Sequence, residues 1–190
     1  MAYAAWLSVR GKDKEQRRLA AEFVEYILQR AEKEGGAVYE KAKEIVKGGK
    51  ERGSLTLKGL EKEVEVNGKK YKVKVIGGEA VEEDRNGRKL LRIRITAEVG
   101  GVRSDYVMTY GRYGKLNAAL GRATGRAGRE ADAERFAAVI KALTGKEPRI
   151  HRMKDGRTMI ECYGGHLEGF KQYVELADAI VKWLEETRRR

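Results

Sequence analysis

NGRKLLRIRITAEVGGVRSDYVMTY, Asn86–Tyr110, alternates apolar and polar residues along most of its length, and that period decides the fold. In an extended chain successive side chains point to opposite faces. Leu91, Ile93, Ile95, Ala97 and Val99 therefore share one side, and Arg92, Arg94, Thr96 and Glu98 the other. Gly100-Gly101 turns the chain into a second run in which Val102, Ser104, Tyr106, Met108 and Tyr110 alternate. The product is a hairpin with one buried face and one solvated face that carries arginines.

The same period extends outward from this stretch. Upstream, Val64 and Val66, then Asn67-Gly68, then Tyr71, Val73 and Val75 predict a tight hairpin. Downstream, Arg149–Met153 and Arg157–Tyr163 predict another around Asp155-Gly156. Helical spacing takes over elsewhere. Asp13 and Gln16 resemble a capping box ahead of Leu19, Phe23, Tyr26, Ile27 and Ala31, and a shorter helix follows over Ala37–Lys47. Ala133, Phe136, Ala137, Ile140 and Leu143 form a third stripe, with Glu130, Asp132 and Glu134 near its positive end and Gly145 as its stop. Further helical segments are expected over His166–Tyr173 and Val174–Glu186, and a short one over Leu116–Leu120. The fold class is α+β: an antiparallel sheet of β-hairpins with helices packed on one face. The organisation is an N-terminal helical segment over residues 1–53 and an antiparallel α+β domain over 54–190, or one continuous domain.

The chain of 190 residues holds 41 Lys and Arg against 29 Asp and Glu, a net charge of +12 and a pI near 9.7. Such an excess favours a polyanion, DNA or RNA first and an anionic membrane surface second. No apolar run approaches the roughly 20 residues that span a bilayer, and Met1–Arg10 lacks a signal-peptide core, so the expectation is a soluble, cytoplasmic protein. Cys162 is the single cysteine, which excludes an internal disulfide. Asn and Gln together number six while Lys, Arg and Glu abound, the balance of a hyperthermophilic source.

One window breaks the even mixing of charge. Tyr106–Arg129 contains no acidic residue, but has Arg112, Lys115, Arg122, Arg126 and Arg129, flanked by Tyr106, Tyr110 and Tyr113 and punctuated by glycines. Arginines fork onto phosphate oxygens, glycines let the backbone approach them, and tyrosine rings stack on bases. Joined by Arg92, Arg94 and Arg103 of the hairpin, these residues form the candidate nucleic-acid-binding set. A solvated, flexible loop is the competing reading.

Signals for catalysis are weak. His151, Cys162 and His166 lack a fourth ligand for zinc, Ser104, His151 and Asp105 lack the strand–elbow–helix setting of a nucleophile, and no Walker loop occurs. Asp105 and Glu161 are strand acids without an identified partner for holding Mg²⁺. No catalytic residue, metal or cofactor is assigned.

Long phrases of the chain carry a resemblance: "NGRKLLRIRITAEVGGVRSDY", "TYGRYGKLNAALGRA", "GREADAERFAAVIKALTGKEPRIHRMKDGR", "HLEGF" and "ELADAIVKWLEETRR". Together, and from "AAEFVEYILQRAEKEGG" onward, they look like the repeated-element family of Pyrobaculum and related crenarchaea (PaRep, two-b branch). The resemblance implies a hyperthermophilic archaeal origin and a multi-copy, mobile-element-associated family; it brings no established activity. The order hairpin, helix, hairpin, helices from Leu90 onward is also similar to half of a LAGLIDADG homing endonuclease, whose sheet lies in a DNA groove. The acid that closes that family's signature helix is missing, since Thr144-Gly145 follows "FAAVIKAL". What these resemblances imply is nucleic-acid binding without cleavage. The alternatives are a divergent endonuclease and a ribosome-associated or structural accessory protein.

Overall fold

The structure is a computed structural model and describes residues 1–10, 14–51, 55–114, 118–125 and 128–187. It divides into two units, Met1–Ser54 and Leu55–Arg190. Asp13 of the expected capping box and the terminal Arg188, Arg189 and Arg190 lie outside the described residues.

The first unit is three helices, α1 (Ala2–Arg10), α2 (Lys14–Glu34) and α3 (Gly36–Glu51). Its core is small, built from Ala5, Val24 and Val46 with Ala4 and Leu28 against them. Helix α2 forms where its spacing predicted and buries Ala31 of the expected stripe, but the rest of its buried line differs. Ala20, Val24 and Ala31 face the other helices, whereas Leu19, Phe23 and Tyr26 stay exposed. The small residues win because they allow closer approach to α1 and α3.

The second unit is a seven-stranded antiparallel sheet in the order β1-β2-β3-β4-β5-β7-β6 with three helices. The strands are β1 (Glu61–Val66), β2 (Lys69–Arg85), β3 (Arg88–Val99), β4 (Val102–Tyr113), β5 (Ala118–Gly125), β6 (Arg149–Arg152) and β7 (Thr158–Tyr163). The helices are α4 (Glu130–Thr144), α5 (Gly164–Phe170) and α6 (Val174–Thr187). The α+β class therefore holds, with helices and an antiparallel sheet in one chain.

Turn chemistry sets the register. At Asn67-Gly68, Asn86-Gly87 and Gly100-Gly101 both central residues take positive φ, from 51° to 82°, which matches the right-handed twist of the strands they join. Strand β2 runs for 17 residues because a bulge between Val75 and Gly77 lets it continue alongside β3 to Arg85. Along β3, Leu91, Ile93, Ile95, Ala97 and Val99 are buried, and so are Val73 and Val75 of β2 on the same side. Against this face pack Val139, Ile140 and Leu143 of α4, with Leu176, Ile180 and Trp183 of α6, in one continuous core.

The segment expected as a short helix over Leu116–Leu120 is a correction, since Ala118–Leu120 opens strand β5; Leu116 itself lies outside the described residues. Tertiary pairing overrides local preference here, because β5 hydrogen-bonds to β4 on one side and β7 on the other. Gly121 has a packing role rather than a flexible one: a Cβ there would lie 2.7 Å from the Tyr110 ring and 2.8 Å from Met108 Sδ.

Candidate nucleic-acid interface

The acid-free window is a β-hairpin, and strand alternation sorts its residues onto two faces. Tyr106 and Tyr110 point into the core with Met108, at 5% and 0% exposure. Neither offers a plane to a base, which corrects their expected role. Tyr106 packs 5.2 Å from the Phe136 ring and Tyr110 lies edge-on to Trp183 at 6.5 Å. Burial pushes both phenols up from the ordinary value, Tyr110 well above it. Arg112 shares this inner side. Its guanidinium lies over the Trp183 ring at 5.0 Å and its Nε–H donates to Thr187 Oγ1 at 3.0 Å, so it ties β4 to the end of α6.

Tyr113 and Arg122 emerge on the opposite face. The Arg122 guanidinium stands 4.8 Å from the Tyr113 ring centroid, and its Nε–H donates to Glu161 at 3.2 Å. The ring of Tyr113 reaches back over Gly111, where a Cβ would come within 2.8 Å of it. Tyr163, which sequence reasoning missed, stands on the same face two residues after Glu161, and its hydroxyl donates to that carboxylate at 3.4 Å. The alternation Met159, Glu161, Tyr163 in β7 was the signal that would have found it. Two exposed tyrosines thus flank one arginine.

Arg92, Arg94 and Arg103 also lie on this face, but they do not make it a positive field. Arg92 pairs with Glu83 at 3.3 Å and Arg94 with Glu79 at 3.2 Å; Arg103 stands opposite Glu98 in the register. Lys74 in turn faces Glu98 and Glu61, and Arg149 faces Glu161. Opposite charges placed across neighbouring strands stabilise a sheet and neutralise its surface. Arg129 occupies the N-cap position of α4 without a side-chain capping bond, and its guanidinium lies 3.7 Å from Asp132. Lys115 and Arg126 lie outside the described residues.

Several basic residues gather at one end of the strands. A cleft of about 830 Å³ opens beside the β2–β3 turn and the end of β4, lined by Arg85, Arg88, Lys89, Leu90, Tyr113 and Glu186 among others. Lys89 and Arg85 are paired, with Glu186 and Glu83 respectively. Arg88 has no ion-pair partner among the described residues. The Tyr113 ring therefore borders both the sheet face and this basic cleft.

The residues considered for chemistry are dispersed. His151 lies on the solvated face opposite Met159, while Cys162 faces the core opposite Gly121. Burial pushes the Cys162 thiol up to about 12, so it is an inert core group. Both nitrogens of His166 are engaged, Nδ1 accepting from the Tyr163 N–H and Nε2 donating to the Glu147 carbonyl, each at 3.1 Å. Asp105 accepts a hydrogen bond from Thr96 at 2.7 Å, and Glu161, 8% exposed, holds Arg122. Among the described residues no three His, Cys, Asp or Glu side chains gather as a metal site, and no described helix is long and apolar enough to cross a membrane. Compared with protein-family models, curated proteins and solved structures, the chain matches none.

Proposed function

We propose that the protein binds nucleic acid through the helix-free face of its sheet and the basic cleft at its end, without cleaving it. The observation that carries this reading is the pair Tyr113 and Tyr163, 38% and 44% exposed, on either side of Arg122. Exposed rings beside a guanidinium are stacking surfaces for unpaired bases. Arg88, Arg85 and Lys89 at the adjoining cleft supply phosphate contacts, and the exposed pairs of Arg92 and Arg94 are weak enough for a phosphate to replace the carboxylate. The reading favours single strands over duplex and leaves DNA and RNA equivalent. Kinship with the repeated-element family stands beside it as a proposal and adds no activity.

The test is a titration of a labelled 20-nucleotide strand and its duplex across KCl concentrations. With about four phosphates neutralised, the log–log slope is near −3 for a single strand. Tyr113→Ala with Tyr163→Ala weakens single-strand binding at least about tenfold and leaves the slope alone. Arg85→Gln with Arg88→Gln flattens the slope. No binding at low salt, or a strand preference untouched by the tyrosine changes, overturns the reading.

A further inference from the structure

Helix α2 keeps its larger side chains in water. Leu19, Phe23 and Tyr26 are each about half exposed, while Ala20, Val24 and Ala31 hold the inner side. At 3.6 residues per turn these three large residues fall within about 60° of arc, so they form one continuous apolar stripe rather than scattered surface positions. The unit that carries the stripe has a small buried cluster at its centre, Ala5, Val24 and Val46 with Ala4 and Leu28 against it. A core of that size leaves a three-helix unit marginal, and covering the stripe adds the apolar burial it lacks.

The charges beside the stripe identify what covers it. Arg30 lies one turn beyond Tyr26 on the same line, and its Nη1–H donates to the Tyr26 hydroxyl at 3.3 Å. Glu15 lies one turn before Leu19 at the other end, and Glu22 borders the middle; both pair with Arg18 on the exposed surface. A nucleic acid or an anionic membrane would meet these carboxylates, and a strongly acidic or basic protein would match only one end. A second copy of the same helix, running antiparallel, matches both ends. Residues 15 and 30 and residues 19 and 26 are centred on one point, between Glu22 and Phe23. A two-fold axis there sets Glu15 of each copy against Arg30 of the other, Leu19 against Tyr26, and Phe23 against its own equivalent. Glu22, also near the axis, keeps Arg18 as its cation.

We infer that α2 is the contact of a homodimer, in which two copies pack antiparallel across the Leu19–Phe23–Tyr26 stripe. The contact is independent of the nucleic-acid reading and uses no residue of the sheet.

The experiment is sedimentation velocity on the full chain from about 1 to about 200 µM, where the unmodified protein should pass from monomer to dimer with a Kd of about 10 µM. Phe23→Glu replaces two facing rings by two facing carboxylates and should raise that Kd at least about a hundredfold. Glu15→Arg and Arg30→Glu should each raise it about tenfold, because each turns two opposite-charge contacts into like-charge ones. An equimolar mixture of these two variants, and a single chain carrying both changes, should recover the original Kd. All three positions are exposed, so circular dichroism should show the same helix content for every variant. A chain that stays monomeric at about 200 µM overturns the inference, as does a dimer that survives Phe23→Glu. Charge changes that leave the Kd untouched, or that are not reversed when combined in one chain, overturn the antiparallel register and the inference with it.

Discussion

The two faces of β3 are built from the same twelve residues by opposite physics. On the inner face Ile93 and Ile95 are buried under α4 and α6, and their contribution comes from apolar surface removed from water. On the outer face Arg92 and Arg94 stand in ion pairs across the strand boundary, where solvent screens nearly all of the Coulomb energy. One face supplies stability and the other supplies solubility, register and a surface that remains free to exchange partners. A net charge of +12 therefore does not imply a uniformly basic sheet.

Neighbouring substitutions break this comparison most sharply. Ile95→Ala should cost about 2–5 kcal/mol in chemical unfolding, because it removes buried methylenes and leaves a cavity. Arg94→Ala, the adjacent residue on the other face, should cost less than about 0.5 kcal/mol. Comparable losses would mean that the outer face is covered in solution and that its ion pairs are not solvent-screened.

Arg122 marks the place where the outer face stops behaving like surface. The side chain of its partner Glu161 is 11% exposed, whereas that of Glu79 opposite Arg94 is 56% exposed. Arg122→Ala leaves a nearly buried carboxylate without its cation, so about 1–3 kcal/mol should be lost, and Glu161→Gln in the same chain should recover part of it. A double variant no more stable than Arg122→Ala alone would show that Glu161 is solvated after the change.

Much of this architecture was legible in the sequence, and the failures have physical causes. The Asn-Gly and Gly-Gly turns and the alternation from Leu91 to Tyr110 specify the central hairpins because only left-handed residues close such turns and because the period has a single interpretation on a half-buried sheet. That alternation also contained the fate of the tyrosines. Tyr106 and Tyr110 share parity with Met108, and Tyr113 does not, so the separation of core from surface rings was available and was hidden by treating tyrosine as a binding residue first. Strand β5 was illegible because Gly121 is required by the ring of Tyr110 across the sheet, a long-range demand that looks locally like flexibility. On α2 the error ran the other way, since the large residues Leu19, Phe23 and Tyr26 formed the stronger stripe and the small ones took the interface.

Tyr106 gives a smaller effect of opposite sign. Its hydroxyl is buried and unpartnered, so Tyr106→Phe should stabilise the free protein by about 1 kcal/mol, read as a raised midpoint in guanidinium. A loss of stability would mean that water or a neighbour satisfies the hydroxyl.

The smallest effect concerns the hydrogen bond that ties the β1–β2 hairpin to α4. Tyr71 donates to Glu134 at 2.6 Å and Lys69 pairs with the same carboxylate at 3.1 Å. The Tyr71 bond first, then Lys69, holds the Glu134 carboxyl below its ordinary 4.5, and the bond to Glu134 with partial burial raises the Tyr71 phenol above its ordinary 10.0. A carboxyl depressed on folding contributes stability above its unfolded pKa and loses it as pH falls through the folded one; a phenol raised on folding contributes below its unfolded pKa and loses it as pH rises through the folded one. The contact is therefore fully present from about pH 5 to about pH 10 and fades on both sides. Tyr71→Phe with Glu134→Gln should cost under about 1 kcal/mol within that window, and the difference from the unmodified protein should narrow below pH 4 and above pH 11. No difference at any pH would show that Tyr71 holds the hairpin through ring packing alone, extending the logic of the inner face to its rim.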